Sequence, residues 1–303
     1  MADRSEQLYE REHNVSDPAQ LNATEWVAGG DYFDVSAGKL FYRDQGAGPA
    51  LVLLHGFPTW SYDWAEVAAN LAVDHRIVTL DFPGYGFSAK QGVDFSVGGS
   101  ADAVEQLLAH LGIAHVGLVI HDYGGIVGQE LLDRRARGLL SFKVDVVHVL
   151  NNGIVYAAYR PALVQKMLAT PFIGAFVANR LTKEKLHAGL NGVRGTKKLD
   201  DAAFGELWVG MAHDNGHKLA HRHIGYNAER AVHHRRWEEA LFGFDGPLQL
   251  IWGLADPVSG QHVLNLARPR LPNATIVELP NVGHFPQSEA PARVAAAIRG
   301  TGA

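Results

Sequence analysis

The chain has 303 residues, 47% of them hydrophobic, with a formal charge of −5 and no cysteine. It can bury one large core with a deep site, and it cannot use disulfides, thiolate metal sites or cysteine nucleophiles. No basic run has the look of a nucleic-acid footprint, no stretch reaches the roughly 18 apolar residues of a membrane span, and the opening MADRSEQLYEREHNVSDPAQ lacks the apolar centre of a secretory signal. The expected partners are a small hydrophobic molecule and water, the expected location is the cytoplasm, and nothing in the pattern fixes an oligomeric state.

In chain order, residues 1–29 read as a solvated arm or short helix, and DYFDVSAGKLFYRDQG has the alternation and central glycine of a hairpin, so that the fold starts near Gly30. Six short apolar runs then suit buried parallel strands: ALVLLHG, HRIVTLDF, HVGLVIHD, KVDVVHVL, LQLIWGL and ATIVELP. Most are separated by segments with apolar residues three and four apart, such as ADAVEQLLAHLG and IVGQELLDRRARGLL. Strands alternating with helices predict an α/β fold built on an open, mostly parallel twisted sheet. The beat fails once. From Ile154 to Phe244 there is no strand signal, only helical pattern. The division predicted is therefore an α/β core of residues 30–153 and 245–303 with a helical cap, 154–244, inserted over the carboxyl ends of the strands, where such sheets place ligands.

Five motifs follow predicted strands: HGFPTW, DFPGYGFS, HDYGG, GLADP and NVGHFPQSE. The run Ile120-His121-Asp122-Tyr123-Gly124 matches the small-x-nucleophile-x-small pattern of a strand-to-helix elbow, with Ile120 misplaced at the first small position. Asp122, Asp256 and His284 stand in the order nucleophile, acid, histidine. On these motifs the span from about Gly30 to Arg299 resembles an α/β-hydrolase of the branch with an aspartate nucleophile, which contains the epoxide hydrolases and haloalkane dehalogenases. Within the cap, NNGIVYAAYRPALVQKML, the ELW segment, and Tyr226 followed by Arg235-Arg236-Trp237 resemble the mesoderm-specific transcript proteins and their bacterial relatives.

The chemistry implied follows from the residue types. An aspartate is ionised at neutral pH without help from a base, which suits attack on a saturated carbon and leaves an alkyl ester on the enzyme. His284 would then activate the water that hydrolyses the ester, with Asp256 orienting its ring. Backbone N–H groups of Phe57 and Tyr123 would receive the oxygen that becomes negative. His121 is expected to point away from the nucleophile, and Asn151 and Asn152 to make hydrogen bonds at the root of the cap. No cofactor and no metal are implied. His213, His217 and His221 lie four apart, with His223, His233 and His234 nearby, but Asp214-Asn215-Gly216 interrupts the helix that would align them.

Epoxide and halide chemistry differ in the leaving group. A departing halide needs N–H donors, and neither Tyr123, after the nucleophile, nor Phe57, where many dehalogenases carry asparagine, has a side-chain N–H. The favoured reading is therefore an epoxide hydrolase that makes vicinal diols, with Tyr226 in IGYNAER as proton donor. Tyr156 and Tyr159 are candidates for a second phenol, and Trp60 and Trp208 for an apolar pocket wall. The alternatives are a haloalkane dehalogenase using the same nucleophile, and a non-catalytic binding protein on the same fold.

Overall fold

A computed structural model describes residues 21–161 and 163–300. The sequence expectation for residues 1–20 lies outside the described residues. Of the rest of the predicted arm, Ala23–Ala28 form a short helix closed by a capping box, in which Asn22 accepts from the Glu25 N–H and Glu25 accepts from the Asn22 N–H. It is docked, not solvated: Trp26 is buried and its indole donates to Ser61 Oγ at 3.1 Å.

The hairpin is β1 (Asp31–Val35) and β2 (Gly38–Gln45), and the six apolar runs are β3 (Ala50–Leu54), β4 (Arg76–Leu80), β5 (His115–His121), β6 (Lys143–Leu150), β7 (Leu248–Gly253) and β8 (Thr275–Leu279). They form one sheet in the order β1-β2-β4-β3-β5-β6-β7-β8, with β2 antiparallel to both its neighbours and every pair from β4 to β8 parallel. The central strands are continuously apolar because both faces are covered. Along β5, Val116, Leu118 and Ile120 point into one helix-covered layer, while Val119 points into the other. That alternation also sets the direction of His121, the last residue of the strand.

Between β6 and β7 the described residues contain no strand. They form helices Leu163–Leu168, Ile173–Ala178, Lys183–Val193, Asp201–Ala212, Ala220–His223 and Tyr226–Phe242. The last of these packs along helix Asp122–Ala136, which follows β5 directly. Trp237 anchors that contact, its buried indole donating to Glu130 Oε2 at 2.7 Å. The inserted helices are thereby tied to the helix that begins at the predicted elbow.

Candidate active site

β5 turns into its helix at Asp122, whose φ of 46° lies in the left-handed region that a residue with a Cβ adopts only under constraint. The constraint is close packing on every side of the turn. A methyl group at Gly124 would overlap the Leu54 carbonyl, and one at Gly125 would overlap the Asn152 amide. The misplaced Ile120 also has its explanation. Its side chain packs on Gly128, where a Cβ would come within 2.8 Å of Ile120 Cγ2. The small residue missing from the strand is supplied one turn further along the helix.

The elbow presents Asp122 to two partners. Its Oδ1 accepts from the Phe57 N–H at 2.8 Å, and its Oδ2 lies 3.3 Å from His284 Nε2. His284 Nδ1 lies 2.7 Å from Asp256 Oδ2. All three side chains are buried. Three residues far apart in the chain thus form one hydrogen-bonded line. The Tyr123 N–H sits in the first turn of the helix, where intrahelical acceptors are lacking.

The supports of this line were only partly legible in the sequence. Asp256 Oδ2 also accepts from Asn151 Nδ2 at 2.9 Å and Ser259 Oγ at 2.8 Å, and its Oδ1 accepts from the Val258 N–H at 2.7 Å. Asn151 was expected to bond at the root of the cap; it instead clasps the Gly253 backbone and the acid. Ser259, three residues beyond Asp256, gave no separate signal. His121 points away from Asp122, as expected, and donates through Nε2 to the His284 carbonyl at 2.7 Å while its Nδ1 accepts from Gln287 at 3.1 Å. Gln287 also donates to Asp63, which takes a second bond from Thr59. This buried polar chain holds the backbone of the loop that carries His284.

Charge follows geometry. Burial opposes ionisation of Asp256, but His284, Asn151 and the Val258 N–H overcome it and hold the carboxyl down to about 2. Burial likewise works against Asp122, and the His284 bond and charge, His121 and the Phe57 N–H bring it below its usual value. Burial alone would lower His284, yet the carboxylates on either side raise it well above an ordinary histidine. His121, buried and beside His284, is pushed down to about 4 and is neutral. The resting line is therefore carboxylate, imidazolium, carboxylate.

A cavity of about 600 Å³ reaches His284 and Phe57, the two groups in contact with the Asp122 carboxylate. Its walls are mainly aliphatic, with Leu168, Leu181, Leu190 and Val258 among them. The expected wall residues are elsewhere. Trp60 is buried beneath helix Asp201–Ala212, where its indole donates to the Leu207 carbonyl at 2.9 Å. Trp208 sits 4.9 Å from the His217 ring, and Tyr156 stacks on His234 at 4.5 Å. None of these three lines the cavity, and neither does Tyr159, although its hydroxyl donates to Gln165, which does. Sequence reading favoured aromatic walls over the leucines and valines of 163–193, whose spacing looks the same whether they face a core or a ligand.

Tyr226 is brought to the elbow. Its ring lies 5.2 Å from that of Tyr123, and its buried hydroxyl interacts with that of Tyr159. Burial raises its pKa far above that of a free phenol, so the proton is retained. The Tyr123 hydroxyl, by contrast, is paired with Ser100 at 2.7 Å. Among the described residues no three histidine or acidic side chains converge to hold a metal. Asp214 and Asn215, with φ of 48° and 58°, break the helix between His213 and His217, and His223 bonds to the Gly84 carbonyl.

Residues 49–291 match the family described as alpha/beta hydrolase fold, and the chain belongs to that family. It is similar to the mesoderm-specific transcript homolog protein of Homo sapiens, 34% identical over 291 residues covering 90% of this chain and 86% of that protein. It is also similar to haloalkane dehalogenase 2 of Mycobacterium bovis, 28% identical over 285 residues covering 88% and 92%. A solved alpha/beta hydrolase fold protein from Burkholderia ambifaria superposes with a TM-score of 0.74 at 24% identity, covering 88% of this chain and 96% of that one. The resemblance drawn from the motifs therefore holds: the chain is an α/β hydrolase with haloalkane dehalogenase relatives.

Proposed function

We propose that the protein opens hydrophobic epoxides to vicinal diols through an alkyl ester on Asp122. The observation that carries this reading is the pairing of an ionised carboxylate, held at the elbow by the Phe57 N–H and His284, with the buried phenol of Tyr226, which keeps its proton and has the Tyr159 phenol beside it. A carboxylate oxygen of Asp122 attacks a ring carbon, the carbon–oxygen bond of the epoxide breaks, and the departing oxygen takes the Tyr226 proton. The ester has no charge, so one of the two carboxylates that raise the His284 pKa is gone. The imidazole sheds its proton, which restores the Tyr226 phenol. It then removes a proton from water as the water oxygen adds to the ester carbonyl. The oxyanion forms on Asp122, where the Phe57 N–H and the Tyr123 N–H stabilise it; donors of this type contribute about 3 kcal/mol each. The acyl carbon–oxygen bond breaks, His284 protonates the leaving alkoxide, and the proton released by the re-formed acid returns His284 to imidazolium.

Dehalogenation is the second reading, favoured by the haloalkane dehalogenase relative. Against it, the Trp60 indole N–H is taken up by Leu207, and Phe57 and Tyr123 supply no side-chain N–H for a halide. One turnover in heavy-oxygen water tests both: the label enters the Asp122 carboxylate if an ester forms, and the product, diol or alcohol with free halide, separates the two. An unlabelled Asp122 after turnover rejects the covalent route.

A further inference from the structure

The cavity has its mouth in an unusual surface. Leu163, Val164, Met167 and Phe176 line the cavity and are also exposed to solvent. Helices Leu163–Leu168 and Ile173–Ala178 pack on each other, and where the turn between them enters the second helix stand Phe172, 97% exposed, and Ile173, 52% exposed. A soluble surface scatters such side chains singly; here six large apolar groups crowd two adjoining short helices around one opening.

The charge of the segment that carries these helices is equally one-sided. Between residues 160 and 190 the basic side chains are Arg160, Lys166, Arg180, Lys183 and Lys185, and Glu184 is the one acid, in a chain whose formal charge is −5. Each of these five cations is exposed. Arg180 and Lys185 stand at the rim of the cavity itself.

We propose that this face is a docking surface for an anionic lipid bilayer. The exposed apolar side chains enter the interface between headgroups and acyl chains, Arg180, Lys185 and the other exposed cations of this segment meet the anionic headgroups, and the cavity mouth opens onto the hydrocarbon. Among the described residues no helix is long and apolar enough to cross a membrane, so the contact is with one leaflet. A protein partner would also cover apolar residues, but the basic excess on an acidic chain specifies an acidic partner, and the apolar mouth specifies one with a lipophilic interior. The consequence for function, which rests on the epoxide reading, is that the substrate is a lipophilic molecule drawn from the bilayer, not from solution.

The test is flotation of the full chain with vesicles of phosphatidylcholine alone and of phosphatidylcholine mixed with phosphatidylglycerol. Binding is expected to the mixed vesicles, to weaken as salt rises, and to fall about 10-fold or more in Phe172→Asp/Ile173→Asp and separately in Lys166→Glu/Lys183→Glu. Phe172, Ile173 and Lys183 do not line the cavity, so Phe172→Asp/Ile173→Asp retains wild-type turnover of dissolved epoxides while losing its advantage with bilayer-embedded ones. Because flotation is read without turnover, failure of the epoxide reading leaves this result standing, and the reverse is also true. The proposal is overturned if the wild type fails to float with mixed vesicles, or if both double variants float as it does. It is also overturned if sedimentation shows a dimer that Phe172→Asp/Ile173→Asp disperses, which would make the face an interface between copies.

Discussion

His284→Ala separates the two halves of the proposed reaction. The imidazole lies 2.7 Å from Asp256 Oδ2 and 3.3 Å from Asp122 Oδ2. Burial opposes the charge on Asp256, and His284 is the largest of the groups that overcome it, taking the carboxyl from 3.8 to about 2. That difference corresponds to roughly 2 kcal/mol at neutral pH, most of which the variant should lose in stability. The kinetic loss is larger and confined to one step. A general base contributes about 10²–10⁴-fold, so ester hydrolysis should slow by that factor, equivalent to roughly 3–5 kcal/mol on its barrier. Ester formation survives, because the Phe57 N–H still holds Asp122 at 2.8 Å and, although burial now raises the carboxyl without the His284 bond and charge to oppose it, a carboxyl is ionised at pH 7.5 as long as its pKa stays below about 7. The assay is intact mass after incubation with a panel of epoxides and bromoalkanes, followed by peptide mapping. The expected result is one adduct per chain, on Asp122, at the mass of the epoxide. The reasoning is refuted if no adduct forms from an epoxide that the wild type hydrolyses, or if the variant turns over at the wild-type rate.

Tyr226→Phe should lower kcat for epoxides about 10²–10³-fold and leave any bromoalkane hydrolysis unchanged. Thermal stability should change little, since the ring keeps its packing and only the contact with the Tyr159 hydroxyl is lost; an unchanged epoxide kcat would remove Tyr226 from the mechanism. Gly128→Ala should cost about 1–3 kcal/mol by driving a methyl group into Ile120. Adding Ile120→Ala should restore part of that, so a strictly additive denaturation cycle would contradict the packing argument. Asp63, buried and only partly compensated by Gln287 and Thr59, is pushed up to about 6. A raised carboxyl pKa gives stability that is complete below the unfolded-state value of about 3.9 and is lost as pH rises through 6, a difference of about 3 kcal/mol at most. Asp63→Asn should therefore be indifferent to this window, and urea midpoints of both proteins at pH 5 and pH 7.5 that move in parallel would count against it.

The sequence alone determined the strands, their kind and the order of the candidate site residues. The apolar runs of four to eight residues are legible because parallel strands covered on both faces have no polar side to show. Asp122, Asp256 and His284 were legible because each closes a strand in a short motif, and strand ends are where such sheets gather side chains. The tertiary structure decided whatever depends on atoms brought together from distant positions. Asn151 holding Asp256 across 105 residues, and Gln287 bracing His121 across 166, leave no periodic or local trace. The compensation of Ile120 by Gly128 is a fact of volume between strand and helix, not of either residue's identity. The same holds for the cavity: helical spacing fixes which side chains share a face, but only the packing of one helix against another decides whether that face meets a core, a substrate or the outside.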